Sequence, residues 1–120
     1  MLKRLATFIT FVLLCIAIIP TAFASERAEK GWQLIEQGAL LVDVRTPQEF
    51  NHRHVSGAVN YPLQDLNSAF ANINKDRLIV LYCRSGNRSG QAYDRLIKKG
   101  FTNLHNAGGL NEMLSTQPKR

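Results

Sequence analysis

Apolar residues along the chain fall into short blocks divided by polar turns. Between Glu26 and Gln37, Trp32 and Ile35 lie three apart with Leu34 beside them, a spacing that predicts a helix stopped by Gly38. Ala39-Leu40-Leu41-Val42-Asp43-Val44 is an unbroken apolar run closing on a charge, the pattern of a buried parallel strand with a carboxylate at its carboxyl end. Thr46-Pro47-Gln48-Glu49 then predicts a helix start: Thr46 can cap, Pro47 fits the first turn, and Glu49 can complete a capping box. His54 to Asn60 reads as a turn leading into a short strand. Leu63 to Ile73 is expected to be helical, with Leu66, Phe70 and Ile73 on one side, and Asn74-Lys75-Asp76 as the turn after it.

Arg77 to Tyr82, carrying Leu78-Ile79-Val80-Leu81-Tyr82, is the strongest strand signal. A helix over Ser89 to Lys99 ends at Gly100. Leu104 and His105 suggest a short strand, Ala107-Gly108-Gly109 a turn, and Leu110 to Leu114 a last helical turn. Strands alternating with helices predict an α/β domain of three layers, a small and mainly parallel sheet flanked by helices. In such sheets ligands bind beyond the carboxyl ends of the strands, where Cys83 falls. No internal repeat or linker divides the chain, and 120 residues suffice for one domain only.

The first residues are excluded from that domain. Lys3 and Arg4 precede a mainly apolar stretch of fifteen residues, Leu5 to Ile19, that includes Thr7 and Thr10; Pro20 breaks the run, and Ala22-Phe23-Ala24 supplies small residues at cleavage-site spacing. The expectation is a signal peptide over residues 1–24, a single domain over residues 25–120, and an exported, periplasmic protein. An uncleaved anchor is the other reading, but a spanning helix needs about 20 apolar residues. Leu14 before Cys15 is too large for a lipoprotein signal. Loss of Lys3 and Arg4 would take the formal net charge from +6 to +4, with no block of like charge that would suggest nucleic-acid binding. It would also leave Cys83 as the sole cysteine, unable to form an internal disulfide.

The surroundings of Cys83 point to a reactive thiol. Cys83-Arg84-Ser85-Gly86-Asn87-Arg88 lies between the strongest strand and a helix start, where backbone N–H groups from about Arg84 to Ser89 and the helix dipole favour an anion. Gly86 allows backbone conformations that other residues resist, and Arg84 and Arg88 add permanent positive charge. These features are expected to lower the thiol pKa and populate a thiolate nucleophile. Read singly, Arg88 is an ordinary first-turn arginine and Ser85 and Asn87 ordinary turn residues.

Together the motifs resemble the single-domain rhodaneses, in particular small periplasmic phage-shock-type thiosulfate sulfurtransferases. Asp43-Val44-Arg45 with Glu49-Phe50 is similar to the first signature of that family, and His54-Val55-Ser56-Gly57-Ala58-Val59-Asn60 to its second. Cys83 to Arg88 resembles the active-site loop, and Asn106-Ala107-Gly108-Gly109 the carboxyl-terminal signature. The resemblance implies a rhodanese-like fold and a two-step reaction: Cys83 takes the outer sulfur of thiosulfate as a persulfide, then passes it to cyanide or a thiol. It implies Cys83 as the catalytic residue and Arg84, Ser85, Gly86, Asn87, Arg88 and Ser89 as substrate-binding, with no cofactor and no metal. His52, His54 and His105 and the cysteine have no metal-ligand spacing. The partners implied are a small anionic donor and a thiophilic acceptor, without nucleic acid or stable membrane insertion. The domain is expected to be a monomer, since its sheet needs no partner to be complete.

Two other readings stay open. One is a sulfane-sulfur carrier or binding module that is not itself an enzyme. The other is a cysteine-based phosphatase or arsenate reductase, whose loop is longer; here Arg88 is five residues after Cys83 and Tyr82 precedes it. Among the flanking residues, Arg45 and Glu49 are expected to pair across the helix start in a network with Asp43. His54 is expected at the rim, Gly108 and Gly109 in a turn, and Trp32 and Phe101 in the core or a groove wall. Cys83 is expected at the floor of a shallow pocket open to small anions.

Overall fold

The computed structural model describes residues 22–119, with side chains from residue 26 onward. The predicted leader lies outside the described residues apart from its last three positions. Four parallel strands, β1 (Leu40–Asp43), β2 (Val59–Asn60), β3 (Ile79–Cys83) and β4 (Leu104–Gly109), form one sheet in the order β2-β1-β3-β4. Helices α1 (Ala22–Glu36), α2 (Pro47–His52), α3 (Leu66–Ala69), α4 (Asn87–Lys98) and α5 (Leu110–Ser115) complete the expected three-layer α/β domain.

The pleat of β3 sorts its side chains between two cores. Ile79, Leu81 and Cys83 face the layer of α4 and α3, with Val42, Phe70, Leu96 and Phe101. Val80 and Tyr82 face the layer of α1 and α5, with Ala28, Trp32 and Met113. All five β3 residues are buried, which explains why the strand reads as an unbroken apolar run. The same parity points Cys83 toward α4. Trp32 is a core residue as expected, its indole N–H donating to the Met113 carbonyl at 2.9 Å, and Phe101 packs edge-on against Phe70.

Local chemistry accounts for most element ends. Gly38, at φ 96°, closes α1 in a left-handed cap, with the Ala39 N–H donating back to the Leu34 carbonyl. The capping box at α2 forms as expected: Thr46 Oγ1 accepts from the Glu49 N–H, and Glu49 Oε1 accepts from the Thr46 N–H. α1 begins earlier than the predicted Glu26, and α4 starts at Asn87 instead of Ser89.

Two elements differ more. The expected helix over Leu63 to Ile73 is a 3₁₀ turn, Leu63–Asp65, followed by only four α-helical residues. Asn67, Asn72 and Asn74 are weak helix formers, and the segment is held instead by burial of Leu66 and Phe70 against the sheet. The second difference is β4, which runs on to Gly109, so Gly108 and Gly109 end a strand and do not form the predicted turn. Leu81 pairs with Asn106 and Cys83 with Gly109, so β4 carries one extra residue across that interval. Gly108, at φ 95°, sits within this bulge.

Candidate active site

β3 ends on Cys83, and Arg84 and Ser85 carry the chain to Gly86, whose φ of 98° and ψ of −8° turn it into α4. A left-handed residue there lets the chain curl back over the sulfur. The Gly86 N–H donates to Cys83 Sγ at 3.0 Å and the Ser89 hydroxyl lies 3.3 Å from it. Burial is the largest influence on the thiol and works against its charged form. It is outweighed by the Ser89 hydroxyl and the N–H groups of Ser89, Ser85 and Gly86, which hold the thiol below its ordinary pKa. The expected donor nest is present, and hydrogen bonds dominate it.

Ser89 has a divided role. Its oxygen also lies 2.8 Å from Asn106 Oδ1, which accepts the Gly108 N–H at 3.0 Å, while Asn106 Nδ2 donates to the Gly86 carbonyl at 3.0 Å. These backbone partners fix the orientation of the Asn106 amide. One hydroxyl proton therefore faces two acceptors, the amide oxygen and the sulfur. A negative sulfur is the stronger acceptor.

The arginines are deployed differently from expectation. Arg88 forms a fork to Glu49, at 2.6 and 2.9 Å, and Arg45 forms a buried pair with Asp43, at 2.7 Å. Arg45 and Glu49 therefore do not pair with each other: Asp43, two residues before Arg45, offers the guanidinium a fully buried carboxylate on the same strand end. The Arg88 hydrogen bonds are the main reason the Glu49 carboxyl drops to about 2. Arg88 still feels the negative charge of Cys83, and so does Arg27. Arg84 is exposed, and the Asn87 side chain accepts from Gln91 along the helix. Of the loop residues expected to surround the sulfur, Ser85, Gly86 and Ser89 direct donors at it.

Two braces were not anticipated. Arg27 of α1 donates to the Ser85 carbonyl at 3.0 Å and forms a fork to Glu112 of α5, at 2.5 and 2.8 Å. It lies over Gly86 so closely that a Cβ there would fall 2.8 Å from its guanidinium. Asn106 is the second, and its motif was visible without its role. Gly109 brings β4 against the loop, where a Cβ would collide with the Arg84 carbonyl oxygen.

Cys83 is 1% exposed, deeper than the open floor expected, because the loop and its braces close over it. Two cavities open on either side of the Arg88–Glu49 pair. One, of about 260 Å³, is lined by Val44, Thr46, Leu63, Arg88 and Arg95. The other, of about 400 Å³, adjoins Arg84. His54 is exposed and stacked on Phe50, with ring centroids 3.8 Å apart, and lines neither cavity.

A buried, hydrogen-bonded thiolate at the carboxyl edge of a parallel sheet can act as a nucleophile and can hold a negatively charged sulfur. The model of the rhodanese-like domain matches residues 27–116. The thiosulfate sulfurtransferase PspE of Escherichia coli K12 is 36% identical over 80 residues, 65% of this chain and 77% of that protein. The thiosulfate sulfurtransferase GlpE of Pseudomonas syringae pv. syringae is 32% identical over 96 residues, 80% of this chain and 91% of that protein. A solved rhodanese with anions from E. coli superposes with a TM-score of 0.57 at 38% identity, over 62% of this chain and 89% of its own. The human single-domain sulfurtransferase TSTD1 gives 0.64 at 28% identity, over 72% and 90%. These relatives support sulfurtransferase activity, with a sulfur donor and a sulfur acceptor. The chain belongs to the rhodanese-like family.

Proposed function

We propose that this protein is a thiosulfate sulfurtransferase working through a persulfide on Cys83. The observation that carries the reading is the set of donors on Cys83 Sγ, which holds its pKa down despite burial. The Cys83 thiolate attacks the outer sulfur of thiosulfate. The sulfur–sulfur bond of thiosulfate breaks, its electron pair leaves with sulfite, and Cys83 keeps the outer sulfur as a persulfide anion. Cyanide or a thiolate then attacks that outer sulfur, and the electron pair of the breaking bond restores the Cys83 thiolate.

Within this reading, Gly86 and Ser89 stabilise the thiolate and the persulfide, and Ser85 contributes its N–H. Arg84 and Arg88 supply the positive field for the donor, Arg88 while anchored to Glu49. Asn87 starts the helix whose first N–H groups face the site. Residues 25–120 form one domain, exported with residues 1–24 as its signal and acting as a monomer. No described helix is long and apolar enough to cross a membrane.

Thiosulfate and cyanide should give thiocyanate, and Cys83→Ser should give none. Turnover of an aryl phosphate without turnover of thiosulfate would overturn the proposal. A persulfide that forms but reaches neither cyanide nor any thiol would leave a carrier in place of an enzyme.

A further inference from the structure

Arg84 and Leu110 directly follow β3 and β4, Arg45 lies two residues after β1, and all three line the 400 Å³ cavity, which therefore lies at the strand edge that carries Cys83. Glu49, His52, Arg53 and Asn111 complete its lining. Its charges do not cancel. Glu49 is neutralised by Arg88, and Arg45 is neutralised by Asp43. Arg53 and Arg84 are exposed, and no hydrogen bond or ion pair of either guanidinium is present among the described residues. Arg53 is nevertheless held in place. It caps the carboxyl end of α2, and its carbonyl accepts from Arg45 at 2.6 Å. The buried Asp43–Arg45 pair thus fixes the backbone from which Arg53 projects.

A cavity of this size exceeds a five-atom donor anion and leaves room for an organic acceptor. Its surplus charge is positive, so it attracts anions and disfavours cations. Resting on the sulfurtransferase reading, we propose that this cavity is the acceptor site and that Arg53 selects low-molecular-weight thiols carrying a carboxylate. The acceptor thiolate attacks the outer sulfur of the Cys83 persulfide. A new sulfur–sulfur bond forms on the acceptor, the bond to Cys83 breaks, and the Cys83 thiolate leaves with its electron pair, so no further reactant is needed.

The test uses the full chain with thiosulfate as donor and three acceptors: 3-mercaptopropionate, 2-mercaptoethanol and cysteamine. Each acceptor is compared with itself in wild type and in Arg53→Gln, so that differences in thiol basicity cancel. An exposed guanidinium–carboxylate contact predicts an acceptor KM for 3-mercaptopropionate raised about two- to fivefold by Arg53→Gln. The KM for 2-mercaptoethanol should hold steady, and that for cysteamine should fall. Added salt should shrink the wild-type preference. Equal changes for all three acceptors, or none, would overturn the acceptor site. Intact mass after thiosulfate alone separates the two levels: a persulfide without the acceptor pattern defeats this inference only, and no persulfide defeats the sulfurtransferase reading as well.

Discussion

Replacing Ser89 with Ala tests how the site makes a thiolate. The change removes a hydroxyl that lies 3.3 Å from Cys83 Sγ and 2.8 Å from Asn106 Oδ1. A hydrogen bond to a charged group is worth about 1.5–3 kcal/mol and a neutral one about 0.5–1.5 kcal/mol. In the thiol state the Ser89 hydroxyl donates to Asn106 Oδ1, and in the thiolate state it turns to donate to sulfur. Ionisation therefore gains only the difference, about 1–1.5 kcal/mol. At 1.36 kcal/mol per pKa unit, Ser89→Ala should raise the Cys83 pKa by about one unit. The N–H donors of Ser85, Gly86 and Ser89 remain in the variant, so the thiol should stay reactive. The assay is the iodoacetamide alkylation rate at Cys83 against pH, followed by peptide mass so that Cys15 does not contribute. Where the pKa of both proteins exceeds the assay pH, sulfur uptake should fall about tenfold. An unchanged or lower pKa would refute the divided-proton account and leave Ser89 as a brace for Asn106.

Asp43→Ala should cost about 3–5 kcal/mol in urea unfolding, because it strands the buried Arg45 charge. Glu49→Gln keeps a capping box but breaks the pair with Arg88; the pair is partly exposed, so the loss at neutral pH should stay within about 1 kcal/mol. The sign follows from the lowered pKa: the pair stabilises the fold fully above the unfolded carboxyl value of about 4.3 and loses that contribution as pH falls toward about 2, where the two unfolding curves should converge. Gly109→Ala should destabilise the domain by about 1–3 kcal/mol, since its Cβ has no room beside the Arg84 carbonyl. Its thermal midpoint and thiocyanate yield should fall together.

The sheet was legible because burial on both faces leaves unbroken apolar runs, and β1 and β3 are those runs. The capping box at Thr46 was legible because its partners are three residues apart. The loop was legible because one short segment holds Cys83, Gly86 and Ser89. Contacts between distant segments left no such mark. Arg27 reaches Ser85 across 58 positions, and Arg88 finds Glu49 across 39. Arg45 illustrates the same limit at short range, since helix spacing suggested Glu49 while burial at the strand end selected Asp43. Asn106 stood inside a motif, yet its part in dividing the Ser89 proton depends on a bulge in β4 that residue types alone do not specify.

Everything proposed for the site requires that Cys83 take one sulfur atom from thiosulfate. Intact mass of the full chain after thiosulfate treatment and removal of excess reagent tests it most directly. The mass should rise by one sulfur atom, and that gain should be lost on adding cyanide and missing from Cys83→Ser. No added sulfur, or the same addition in Cys83→Ser, would contradict it.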